Sequence, residues 1–161
     1  MKQILIIIIL FGLISCKNDA DNTKKLQSSI DSLKIEIANI YKPGFGEIMG
    51  NVQAQHAKLW FAGKNHNWKL AQFEIKELNE ANDAIKKYES ARKESKLIDI
   101  IKPALDSINN AVKVKNSKMF NTSFVALTNA CNNCHHLTNF GFNIVKIPDV
   151  SSFTNQDFKV K

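Results

Sequence analysis

Cysteine is scarce in this chain of 161 residues: there are three, Cys16, Cys131 and Cys134. A structural zinc site takes four ligands, usually from a second Cys or His pair. Here only His135 and His136 lie beside the last two cysteines, with His56 and His66 far off in sequence. Long hydrophobic runs are missing too. The apolar run at residues 4–14 is too short to span a bilayer. The formal charge is +7, but the lysines are spread over the chain, with no dense basic stripe and no stacking aromatics between them. Nucleic acid is therefore not an expected partner. No internal repeat, low-complexity tract, phosphate-binding loop, general acid–base pair or nucleophile with a partner histidine is readable. An enzyme with its own turnover is not expected.

What is present begins with an export signal. Lys2 precedes the apolar run, which ends in Leu13-Ile14-Ser15-Cys16, the pattern of a signal peptide over residues 1–15. Its end resembles the lipobox of bacterial lipoproteins, which implies that Cys16 becomes the lipidated first residue of the mature chain, anchored to a membrane. Lys17 stands where the inner-membrane retention signal of many such lipoproteins has Asp. The resemblance therefore implies a cell-envelope location at the outer membrane, facing the periplasm or the cell surface. Cleavage removes Lys2 and no acid, which lowers the charge from +7 to +6. An acidic redox partner or an anionic headgroup suits that balance.

The second signal is Cys131-Asn132-Asn133-Cys134-His135, the Cys-x-x-Cys-His attachment motif of a c-type haem. Two thiols three positions apart share a helix face, where they can form thioethers to the two vinyl groups of one haem c, and His135 can supply the proximal imidazole. The same Cys-x-x-Cys also serves zinc sites and redox dithiols. A thioredoxin-like dithiol wants a strand–helix–strand setting, and none is readable. His136 reads as a surface histidine, because adjacent helix positions point in different directions.

The pattern between these signals is helical. Residues 16–25 are polar and read as a tether. Over residues 26–42 an amphipathic helix carries Leu26, Ile30, Leu33, Ile37 and Ile40 at alternating spacings of four and three. This short seam suits a stalk or folding back onto the domain better than a homodimer, which stays open. Residues 43–161 form the main domain. A helix is expected over 45–62, with Phe45, Met49, Val52, His56 and Leu59 on one stripe and Gly63 as its stop. A long helix over 67–95 follows, with Glu74, Lys76, Glu77, Glu80 and Lys86 on a solvated face. A third spans 97–115, its regular part starting near Lys102 because Pro103 fits only a first turn. The fourth starts at a cap on Asn116 or Ser117, carries Phe120, Phe124, Leu127, Cys131 and Cys134 on one stripe, and ends at Gly141. The remaining tail is irregular.

The expected fold is all-α: an antiparallel four-helix bundle with an extra N-terminal amphipathic helix and an irregular C-terminal tail. With the haem motif near the end of the fourth helix, residues 45–139 resemble cytochrome c′, the class II c-type cytochromes. The stretch from Gly46-Glu47-Ile48-Met49 through His56 to Asn67-Trp68 also resembles small bacterial haem-domain proteins. The chain lacks the Arg or Lys that follows the motif in cytochrome c′, and a long tail replaces the short end. The motif implies single-electron transfer with a redox partner protein. The resemblance adds binding or detoxification of a small gas such as nitric oxide. A non-haem structural lipoprotein is the third reading. In an up-down bundle Phe45 and Met49 lie nearest the haem, while His56 is seven residues on, ~10 Å away. Met49 is then an apolar cap or a sulfur ligand, and His56 the more distant option.

Overall fold

The computed structural model describes residues 16–40 and 42–160 and divides the chain into two units, Met1–Lys42 and Pro43–Lys161. The signal peptide expected over residues 1–15 lies outside the described residues. Among those described, every regular element is helical. None of these helices is long and apolar enough to cross a membrane.

The first unit contributes α1, Cys16–Ile40. The helix takes in residues 16–25, so the polar tether is a continuation of the amphipathic helix. The side chain of Cys16 itself lies outside the description.

The second unit contains α2 (Phe45–Lys64), α3 (Trp68–Tyr88), a short α4 (Lys93–Leu97), a 3₁₀ turn (Ile98–Ile101), α5 (Lys102–Lys113) and α6 (Ser117–Leu137). Helix α2 packs on α3 and α5 on α6, and the pairs meet through α3 with α5 and α2 with α6. Phe120, Phe124, Leu59, Ile75, Leu105 and Ile108 are fully buried where these faces converge. Pro103 sits in the first turn of α5, where its missing N–H costs nothing. Asn116 caps α6, its side chain accepting from Met119 N at 3.0 Å.

The long helix expected over 67–95 stops at Tyr88. The next positions of its inner stripe would be Arg92 and Ser95, which offer the core nothing apolar to bury. The chain turns instead, and the Ser95 hydroxyl donates to the Glu89 carbonyl at 2.6 Å. Ile98 and Ile101 then return to the core.

Neither Gly63 nor Gly141 ends its helix. His66, Lys115 and Asn139 take the left-handed conformation instead, at φ 57°, 54° and 68°. After α6, Asn139 N bonds the His136 carbonyl at 3.3 Å and Phe140 N the His135 carbonyl at 2.7 Å. Those paired bonds form a Schellman cap, and the same pattern closes α2 and α5. Gly63 lies inside α2, where a Cβ would fall 2.0 Å from the ring of Phe120.

Glu74 is not on a solvated face: it is 1% exposed, and its Oε2 has no hydrogen-bond partner in the described structure. It sits between Ala71 and Leu78 on the stripe that α3 buries. Burial raises its carboxyl to about 7, against the pull of Lys58 and with the help of Glu77. The protonated form is thus favoured by folding. Its contribution to stability is complete below the unfolded value of 4.5 and is lost as the pH rises through 7. Glu74→Gln is expected to leave urea-unfolding stability at pH 4 nearly unchanged and to raise it at pH 8. A variant weaker than its parent at pH 8 would contradict the assignment.

Candidate functional site

Helix α6 carries Cys131, Cys134 and His135 at relative positions three and four, which places all of them on one face. That face lines a cleft of about 310 Å³ with Phe45, Met49 and His56 of α2 opposite, and Val52, Ile98 and Val145 completing the apolar wall. The volume falls at the lower end of the range of small-molecule sites, ~300–1,000 Å³. Cys131 and Cys134 are free thiols. Among the described residues no cluster of three or more His, Cys, Asp or Glu side chains could hold a metal ion.

The register between α2 and α6 explains the shape of the cleft. The helices run antiparallel, with Gly63 against Phe120, the Trp60 and Phe124 rings 4.8 Å apart, and His56 bonded to Thr128 at 3.0 Å. Continued toward the motif, this register sets Gly50 across from Cys134 and Gly46 across from Thr138. A Cβ added at either glycine would meet nothing within 4 Å. Packing of the chain against itself therefore does not require glycine there, although a helical glycine costs ~1 kcal/mol relative to alanine. The two glycines leave an open wall facing Cys134 and Thr138.

His135 is oriented from behind. Its Nδ1 lies 2.6 Å from the Asn143 carbonyl oxygen, and a carbonyl only accepts, so Nδ1 carries the proton. In the neutral ring the lone pair is then on Nε2, the atom suited to bind a metal. Two residues beyond Asn143, Val145 is held by Asn132, which lies between the two cysteines. Its Nδ2 donates to Val145 O and its Oδ1 accepts from Val145 N, each at 2.8 Å. The tail is therefore clasped onto the motif. Further along, Phe158 is buried with its ring 5.6 Å from that of Phe61. Phe142 and Ile144 of the tail are 81% and 75% exposed.

The wall on the α2 side is braced as well. Arg92 lies over the Phe45 ring, 4.6 Å from its centroid, and bonds Glu94 at 3.0 Å. A hydrogen bond from its own backbone N–H and the Arg92 guanidinium hold the Glu94 carboxyl below the usual carboxylate range. Burial pushes the Cys131 thiol up to about 11, with Cys134 adding to the effect, and burial also raises Cys134. Catalytic dithiols have the opposite shift, because their thiolate is the nucleophile.

His56 lines the cleft as well. The cleft runs lengthwise along α6 from Thr138 to Cys131, so Phe45, Met49 and His56 all line it. Burial lowers the His56 pKa to about 4. It is neutral near pH 7, and its contribution to stability is full above 6.5 and lost as the pH falls through 4. That slope opposes the one from Glu74. The Thr128 hydroxyl donates to the Phe124 carbonyl at 2.9 Å, so its oxygen accepts the Nε2 proton of His56. His136 is exposed.

Gly46, Gly50, Asn132, Asn143 and Val145 are the site residues that sequence reasoning missed. The one local signal was a pair of glycines four apart on a helix otherwise fit to be continuous. Nothing among protein-family models, characterised proteins or solved structures matches this chain.

Proposed function

We propose that the protein is a monohaem c-type cytochrome of the cell envelope, with the second unit an antiparallel four-helix bundle and the chain lipid-anchored through Cys16. One observation carries this reading. Both motif cysteines and His135 line one apolar cleft, and the Asn143 carbonyl fixes the tautomer of His135 that leaves Nε2 able to bind iron. The residues present fit the group: thiols for two thioethers, an oriented imidazole, and an open glycine wall where a planar macrocycle needs room. Cys131 and Cys134 would hold the haem covalently, and His135 would be the proximal ligand. When bound, the haem supplies reversible one-electron exchange between ferric and ferrous iron. The chain excludes water with Phe45, Val52, Ile98 and Val145, braces the proximal side through Asn132, and presents Met49 and His56 from α2. The function is single-electron transfer to a partner protein.

A second reading, binding of a small gas at the iron, is favoured by the apolar and glycine-lined character of the wall opposite the motif. Expressed with c-type maturation machinery, the full chain is expected to keep one haem through acid–acetone extraction. Complete release overturns the proposal. A ferrous optical spectrum that shifts under carbon monoxide favours gas binding, and an unresponsive one favours electron transfer alone.

A further inference from the structure

The seam of α1 is an exposed apolar feature, among the described residues, that the proposed site does not use. Leu26, Ile30, Leu33, Ile37 and Ile40 are between 39% and 76% exposed. They recur at steps of four and three within one helix of 25 residues, about 37 Å long. In heptad terms Ile30 and Ile37 occupy a, and Leu26, Leu33 and Ile40 occupy d. β-Branched residues at a with leucine at d favour a parallel two-stranded coil. The flanking positions raise no objection, since parallel pairing sets Asn22 against Gln27 and Ser29 against Lys34 of the second copy, with no like charges together.

We infer that α1 pairs in parallel with α1 of a second copy of this chain, Leu26, Ile30, Leu33, Ile37 and Ile40 forming the seam. Besides the chain's own domain, a surface able to cover such a face is a lipid headgroup layer, but interfacial helices carry a strongly basic polar side. Here four lysines (17, 24, 25 and 34) are balanced by four acids (19, 21, 31 and 36), so the helix is neutral. Parallel pairing also brings both Cys16 residues to one end, as two chains anchored in one membrane require. Anchoring confines the copies to a surface and raises their effective concentration, which offsets the shortness of the seam. The inference does not depend on the haem, and its failure would leave that proposal untouched.

Variants of the full chain with one added cysteine separate the arrangements. Under mild copper-catalysed oxidation, Leu26→Cys and Ile40→Cys are each expected to form a reducible dimer, because a d residue meets its own counterpart in a parallel coil. Ser28→Cys, at the outward f position, is expected to form none above the background set by the wild-type chain. Dimers only when Leu26→Cys and Ile40→Cys copies are mixed would overturn the parallel sense. No dimer in any combination, or equal dimer at Ser28→Cys, would overturn the pairing. In that case, protection of Leu33→Cys from a soluble maleimide only when anionic vesicles are present would assign the face to lipid.

Discussion

Replacing Cys131 and Cys134 together by serine is expected to remove all covalently held haem, while either single replacement leaves one thioether and a chain that still stains after denaturing electrophoresis. The difference is chemical: a hydroxyl does not form the thioether, and Asn132 and Asn133 between the two positions offer no substitute. The fold survives the change. Cys131 is half-buried and Cys134 is 7% exposed, so a serine at 134 costs about 1–3 kcal/mol if its hydroxyl goes unpaired. Circular dichroism therefore separates loss of haem from loss of structure. His135→Ala tests the other bond. It is expected to keep the covalent stain, because both thiols remain, and to change the ferrous spectrum, because the Nε2 oriented through Asn143 is gone. A double serine variant that still carries acid-stable haem would remove the basis of the proposed function.

Gly63→Ala is expected to be the most destabilising of the glycine-to-alanine changes in the second unit. Away from contacts the change would help, since alanine is better than glycine in a helix by ~1 kcal/mol. Here the new Cβ would lie 2.0 to 2.4 Å from three carbons of the Phe120 ring. A flexible side chain could swing away, but Phe120 is 1% exposed, with Trp60, Trp68 and Phe124 rings at 6.2, 6.1 and 5.9 Å. Overpacking of this kind costs ~1–3 kcal/mol and sometimes more, which outweighs the helix gain. The urea midpoint should fall clearly, and combining the change with Phe120→Leu should recover part of the loss. An unchanged or raised midpoint would show that the ring can move.

The helix starts were legible because they depend on neighbours in sequence: Asn116 caps α6 and Pro103 marks the first turn of α5. The motif was legible for the same reason, since Cys131, Cys134 and His135 share a face by helix spacing alone. What was not legible depends on partners distant in sequence. Glu74 reads as a surface charge beside Lys76 and Glu77, and only the packing of α3 buries it. The Asn132 clasp needs a tail with no period of its own, and the exposure of Phe142 shows that apolarity did not decide which tail residues dock. The glycines expected to end α2 and α6 yielded to His66 and Asn139, because Schellman bonds form on any residue that accepts a positive φ.

The direction of the hydrogen bonds behind His56 has a consequence for discrimination among diatomic molecules. A neutral imidazole has one N–H, and that of His56 is given to Thr128, whose own hydroxyl proton is given to Phe124. Whichever ring edge turns to the cleft, it can receive a proton but has none to offer. A bound dioxygen accumulates negative charge on its outer atom and is retained by a donor, whereas carbon monoxide and nitric oxide depend far less on one. With burial keeping the ring neutral down to about pH 4, His56 itself gives dioxygen no such hold, and a side-chain donor from this part of α2 would have to be the amide of Gln53, which also lines the cleft.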